Sequence, residues 1–371
     1  MQFNLYIFNQ LLRTTLALTS VLVGIIWLFQ TIRILELVVN RGAPVSDFLI
    51  MSVASMPLWL MIAIPISGFI AVNWVYSRIL ADRELLVMQS IGLSPLQLAK
   101  APIALGILLT GFLAVNSVYI LPASFGVYKD LQFKLRNSIP AILLRDGVFI
   151  EVVDDITMYI GSRDDNDVMR DLFIHDERLG DRIITMTAKS GAFIERDGSP
   201  TLVLQNGERS ERNAEGQSGA VLLFETHSVT ITRSSSQPTA RATIDINEDS
   251  IANLLSPAAA SSPQYYLQRH AEGHYRIASP WLGLGLALLS AAIILRGQIR
   301  RDLWTRRASM NIGACVLVII AVVVTRGWVT NNANLWPFIH LSVFVPIILA
   351  IWLLRSKQTG SSSLLHEGAA I

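Results

Sequence analysis

Apolar residues in this chain come in long uncharged runs rather than in the short alternations of a soluble fold. Uncharged stretches cover 14–32, 48–77, 101–128, 277–295, 308–325 and 327–354, each close to or above the roughly 20 residues that carry a helix across a bilayer. The pattern predicts six membrane spans, three before a long polar segment and three after it. The first run is long, lacks a small-residue cleavage site and ends in Gln30-Thr31-Ile32-Arg33, so it reads as a retained span and not as a signal peptide. Within 129–276 the period changes to that of strands. The pieces VFIEVV, ITMYIG, DLFIH, RIITMTA, AFIE, TLVLQ and VLLFETHSVTIT are separated by turn signals at Asp154-Asp155, Asp197-Gly198 and Asn206-Gly207, which predicts an all-β sandwich or jelly roll. SPAAASSP at 256–263 reads as a linker. The expected organisation is 1–128 for spans 1 to 3, 129–264 for the β domain, and 265–371 for spans 4 to 6 with a C-terminal tail.

Composition agrees with a polytopic α-helical membrane protein, since 52% of residues are hydrophobic and 16% charged. Charge then orients it. With the N-terminus inside, the inner segments hold Arg13, Arg78, Arg83, Lys100, Arg296, Arg300, Arg301, Arg306, Arg307, Arg355 and Lys357, whereas the short outer loops hold Arg33, Arg41 and Arg326. The excess of basic residues on one side predicts cytoplasmic termini and an exported β domain. That domain carries 22 acidic and 16 basic residues, so it is net negative while the membrane portion is net positive. The lone cysteine, Cys315, lies in span 5 and allows no intrachain disulfide. Tyr265, Tyr266 and Tyr275 suit an interfacial belt before span 4.

Catalytic chemistry is sparse. The sequence has no G-x-x-x-x-G-K-[ST] loop, so the chain does not bind ATP in that manner, and Gly216-Gln217-Ser218-Gly219 is followed by Ala220, which breaks a G-x-S-x-G elbow. His270 and His274 stand at i and i+4 and could share a zinc ion, but the intervening Glu272 is not in the H-E-x-x-H position and no third ligand is evident. Polar residues at a membrane surface are the other reading, and no catalytic or metal residue is assigned. No nucleic-acid partner is indicated. The uncharged spans argue against an ion relay. Arg33 and Glu36 leave span 1 at i, i+3 and either pair with each other or hold anionic lipid headgroups. Arg326 sits just outside span 5.

Between spans 2 and 3 runs ADRELLVMQSIGLSPLQLAK, residues 81–100. Asp82 reads as an N-cap, with Arg83 and Glu84 in the first turn. Leu85, Leu86, Met88 and Ile91 supply an apolar surface, and Gly92 closes the helix as a left-handed C′ residue. Ser94-Pro95 starts the next helix. This short helix over about 82–92 either turns the chain round at the membrane surface or docks into a groove of a cytoplasmic protein with Glu84 as its charged anchor.

The order of three spans, a β domain and three spans, with RILELV closing span 1 and Glu84, Met88, Gly92 and Ser94 in an E-x-x-x-M-x-x-x-G-x-[ST] pattern, resembles the LptF/LptG permease family of the lipopolysaccharide export ABC transporter. RIL at 33–35 and Gly-Leu-Ser followed by Lys100 are more similar to its LptF side. The resemblance covers essentially the whole chain. It implies an inner-membrane permease without catalysis or a bound cofactor of its own. ATP would be used by a cytoplasmic LptB-like ATPase dimer, alongside an LptG-like paralogous permease and a periplasmic LptC-like protein. It also implies that Arg83, Glu84, Leu85, Met88 and Gly92 form the ATPase-coupling element. Spans 1 and 5 of the two permeases would form a lateral gate, with Arg33 near lipopolysaccharide phosphates, and Arg33, Glu36 and Arg326 are the candidate lipid-binding residues. The basic loop ILRGQIRRDLWTRR departs from the family in lacking its prolines. A different class of function, a membrane-anchored sensor or scaffold with a ligand-binding β domain, remains open on the residues alone.

Overall fold

The computed structural model describes residues 2–40, 44–137, 146–153, 155–164, 168–178, 182–196, 199–213, 218–230, 244–256, 262–296 and 304–355. The Asp197-Gly198 turn, most of the 256–263 linker, the basic loop over 297–303 and the tail after Arg355 lie outside them, as do the side chains of Leu86, Arg306 and Arg307. The helices are α1 (Gln2–Asn40), α2 (Val45–Ala81), α3 (Glu84–Ser90), α4 (Pro95–Leu98), α5 (Lys100–Val115), α6 (Leu121–Asn137), α7 (Ile251–Leu255), α8 (Pro263–Ala278), α9 (Leu282–Arg296), α10 (Trp304–Val329) and α11 (Trp336–Arg355). Six helical stretches are long and apolar enough to cross a membrane: Phe3–Glu36, Val45–Ala81, Lys100–Leu135, Pro263–Arg296, Ser309–Val329 and Ala333–Arg355. The chain is therefore a six-span helical membrane protein with an inserted β domain. It forms two units, one of residues 1–30, 54–126 and 245–371, the other of 31–53 and 127–244.

In the first unit span 4 is the centre: 78% of its most apolar window is buried, against 6% in span 1 and 28% in span 5. Apolar surface gives no driving force between helices in lipid, so close approach and hydrogen bonds must hold such a bundle. Both are present. A Cβ on Gly106 of α5 would come within 2.8 Å of the Leu284 backbone on α9, and one on Gly283 within 3.1 Å of Leu109, so the two helices meet through reciprocal glycines. Asn116 Nδ2, in a π-helical segment over Asn116–Ile120, donates to the Pro57 carbonyl at 2.9 Å. Asn311 Nδ2 donates to Ser290 Oγ at 3.0 Å.

Residues 245–256, which the sequence pattern assigns to the exported domain, belong instead with the helices. The cause is a buried ion network. Arg276, 1% exposed, donates from Nε to Glu272 Oε1 at 3.0 Å, from Nη1 to the Asp249 carbonyl at 2.8 Å and from Nη2 to the Ile246 carbonyl at 2.9 Å. Arg269 pairs with Asp249 and donates to the Asn253 carbonyl at 3.0 Å.

The second unit contains β1 (Phe149–Val153), β2 (Ile156–Arg163), β3 (Met169–Asp176), β4 (Arg182–Arg196), β5 (Ser199–Asn213) and β6 (Ser218–Thr230), antiparallel and paired in chain order. The expected all-β character is present, and the strand order is that of a meander. Two separate pieces in the sequence, RIITMTA and AFIE, form the single strand β4. Asn206-Gly207 is not a hairpin turn, because a type I′ turn needs positive φ at both residues. Only Asn206 adopts it, at 52°, and β5 runs on through the pair.

The physical reason is a crease. The rows Ile160, Leu172, Ala188, Gly207, Phe224 and Ser162, Arg170, Ser190, Gln205, Thr226 are each paired across five strands, but between them Gly161, Asp171, Lys189, Asn206 and Glu225 stand opposite one another unpaired. Asp171 joins Asn206 at positive φ, 55°, and Asp and Asn are the residues that tolerate it best after glycine. Across this row the buried positions are three apart instead of two, Met169 to Leu172 and Ala188 to Gly191. The sheet bends there, so Ile156, Met158, Ile160 and Ile174 on one side share a core with Leu202, Leu204 and Val229 on the other. A groove of about 780 Å³ follows the crease.

Candidate functional site

The loop between spans 2 and 3 is fixed more tightly than its length requires. Span 2 persists through Ala81, and the Asp82 amide donates to the Arg78 carbonyl at 2.9 Å while its carboxylate lies 3.8 Å from Arg78 Nε. Asp82 therefore ends span 2 and is not the N-cap of α3. That position falls to Arg83, whose left-handed backbone (φ 60°) turns the chain without a side-chain cap. At the far end Gly92, with φ 91°, closes a Schellman motif: its amide donates to Gln89 and that of Leu93 to Met88. Ser94 then caps α4 in a reciprocal box with Gln97, and Pro95 occupies N1.

These stops fix which face of α3 points where. Leu85 is 2% exposed and, with the half-buried Met88, packs on the helical core. Glu84, Val87 and Ile91, spaced i, i+3 and i+7, face outward, with Val87 59% and Ile91 75% exposed. Arg83 and Gly92 are exposed beside them. The result is a carboxylate at the head of a row that continues with two bare aliphatic side chains, on a helix whose opposite face is anchored. Ile91, expected on the apolar surface with Leu85, is on the outward face.

The other candidate residues lie elsewhere. Arg33 and Glu36 are both exposed on α1, and no ion pair joins them among the described residues; they belong to the second unit and Arg326 to the first. Arg326 Nη2 stands 2.6 Å from Glu272 Oε2, with its guanidinium 4.7 Å from the Tyr275 ring centre. Glu272 thus faces Arg276 and Arg326 at once. Sequence reading missed this cluster, for which the R-x-x-E-x-x-x-R spacing of 269, 272 and 276 is the signal available in the chain. The histidine pair gains a third imidazole that spacing could not reveal: His274 Nδ1 is 3.2 Å from His340 Nε2 on α11, and its ring stacks on Trp336 at 4.7 Å. Among the described residues no group of three or more His, Cys, Asp or Glu is arranged to hold a metal ion.

Comparison with known proteins gives this arrangement a context. The chain is 25% identical over 359 residues to the uncharacterized protein RP871 of Rickettsia prowazekii (strain Madrid E), covering 95% of this chain and 98% of that one. It is also 25% identical over 213 residues to the lipopolysaccharide export system permease protein LptF of Escherichia coli (strain K12), covering 56% of this chain and 58% of that protein. The family described as lipopolysaccharide export system permease LptF/LptG matches residues 5–356, a range that takes in all six spans and the β insert. The chain therefore belongs to the LptF/LptG family of lipopolysaccharide export permeases.

Proposed function

We propose that this chain is one permease half of an ATP-driven lipopolysaccharide exporter of the bacterial inner membrane, working with a related permease and a separate cytoplasmic ATPase. The observation that carries the proposal is the outward face of α3. An exposed Glu84 followed along the same face by Val87 and Ile91 suits a groove that is apolar with a basic rim, and a chain without a P-loop needs such a contact to use ATP at all. Burial of Leu85 and Met88 behind that face gives the docked helix a path into the bundle.

On this reading the β domain stands in the periplasm and hands lipid to an LptC-like partner, with the edge strands β1 and β6 available for strand addition. Spans 1 and 5, the least buried of the six, serve as the gate through which acyl chains enter. Arg33 and Arg326 supply guanidinium groups for lipid phosphate, which arginine binds through paired hydrogen bonds. Arg326 can turn to such a ligand without stranding Glu272, because Arg276 keeps the carboxylate paired. The test is co-purification from the native membrane. Wild type should retain an ATP-hydrolysing subunit and Glu84→Arg should release it; a complex that never contains one, or that Glu84→Arg leaves intact, rejects the proposal.

A further inference from the structure

Span 3 opens with Lys100-Ala101-Pro102. In an α-helix the carbonyl of residue i accepts from the amide of residue i+4, so Leu98 should be served by residue 102. Proline has no amide hydrogen. Leu98 is 1% exposed and Ala99 wholly buried, so water does not replace the missing donor, and an unserved carbonyl there would bear its full desolvation cost. The donor comes from span 2. The Tyr76 hydroxyl, on a side chain also 1% exposed, donates to the Leu98 carbonyl at 2.6 Å. The same device recurs in the bundle: Pro280 frees the carbonyl of Arg276, and Ser117 Oγ of span 3 donates to it at 3.0 Å. Carbonyls freed by proline are thus used as acceptors that tie one helix to another.

The Tyr76 bond closes the base of the loop that carries α3 and α4. Besides the chain itself, the side chains of α3 that pack on the core among the described residues are Leu85 and Met88, which are apolar contacts without directional preference. A short hydrogen bond fixes direction as well as distance. We infer that the Tyr76 hydroxyl is the positioning contact that converts a displacement of α3 into movement of span 2. The inference rests on α3 being the ATPase dock. Tyr76 touches neither ATPase nor lipid on this view; it keeps the far end of the loop from pivoting on the end of span 2 when α3 is pushed.

The test uses the assembled transporter with its co-purified ATPase, in proteoliposomes containing lipopolysaccharide. Tyr76→Phe keeps the ring and removes the donor. It should retain the ATPase subunit and ATP hydrolysis while lipid released per ATP falls about tenfold, the weight of one buried hydrogen bond. Adding Pro102→Ala restores a backbone donor to Leu98. The double variant should regain the thermal stability of wild type but not its coupling, because the link to span 2 is still missing. Unchanged lipid release per ATP in Tyr76→Phe overturns the inference, and so does recovery of coupling in the double variant, which would make Tyr76 a carbonyl cap and nothing more. If Tyr76→Phe does not assemble, the double variant alone decides on the same readout. Release of the ATPase by Glu84→Arg together with normal coupling in both Tyr76 variants rejects this inference only; retention of the ATPase by Glu84→Arg rejects the docking on which it rests.

Discussion

Glu272 is a buried carboxylate of the helical unit that faces two arginines. It is 4% exposed, one oxygen faces Arg276 Nε and the other Arg326 Nη2. Removing one member of a buried ion pair leaves an uncompensated charge, which costs about 3–5 kcal/mol. Glu272→Gln should therefore lower the thermal unfolding midpoint of the detergent-solubilised protein far more than Arg326→Gln, since the second change leaves Glu272 and Arg276 paired. Comparable small shifts for both would show that the network contributes little. Part of this residue-scale picture was legible in the sequence. Gly92 at positive φ and the Ser94 cap follow from local rules, because each depends on residues no more than a few positions away. Asp82 did not behave as the pattern suggests: an N-cap competes with continuation of the preceding helix, and span 2 won by one more turn. Arg276 binding the Ile246 carbonyl and Tyr76 binding Leu98 depend on residues 30 and 22 positions apart, beyond the reach of any local pattern.

At the scale of elements, the β sheet shows how a turn signal can be correct in conformation and wrong in topology. Asn206 does take the left-handed backbone that Asn-Gly signals, yet it does so within a strand, at the row where the sheet bends. A β-branched residue at φ 52° is strained by roughly 1–2 kcal/mol and glycine is not. Asn206→Gly should leave the unfolding midpoint near that of wild type and Asn206→Val should depress it, read by thermal unfolding of the full-length protein. Equal midpoints would mean that the crease does not depend on that backbone. Strand existence was written in the alternation of Ile156, Met158 and Ile160 with polar neighbours. The crease was not, because it exists only where five strands place their irregular residues side by side. Spans were the most legible elements of all, since in hydrocarbon a backbone must satisfy its own hydrogen bonds and a run of about 20 apolar residues has few alternatives to a helix.

For the whole molecule the argument concerns sides and partners. The distribution of Lys and Arg expects the loop over 82–99 inside and the β domain outside. In a Cys315→Ser background a membrane-impermeant maleimide applied to cells with permeabilised outer membranes should label Glu208→Cys, on the β domain, and should reach Ser90→Cys, on α3, only after the inner membrane is opened. The reverse pattern would invert the orientation and remove α3 from the ATPase. Sequence by itself determined six spans, an inserted all-β domain, the absence of a nucleotide loop, the Gly92 stop after α3 and the Ser94 cap of α4, because hydropathy, strand period and capping act over one or two turns of chain. Tertiary structure decided which face of α3 is bare, that residues 245–256 join the helices, that the sheet is creased, and that a proline-freed carbonyl is held by Tyr76. Each of these is a contact between residues far apart in sequence, and its energy exists only once packing has excluded water from both partners.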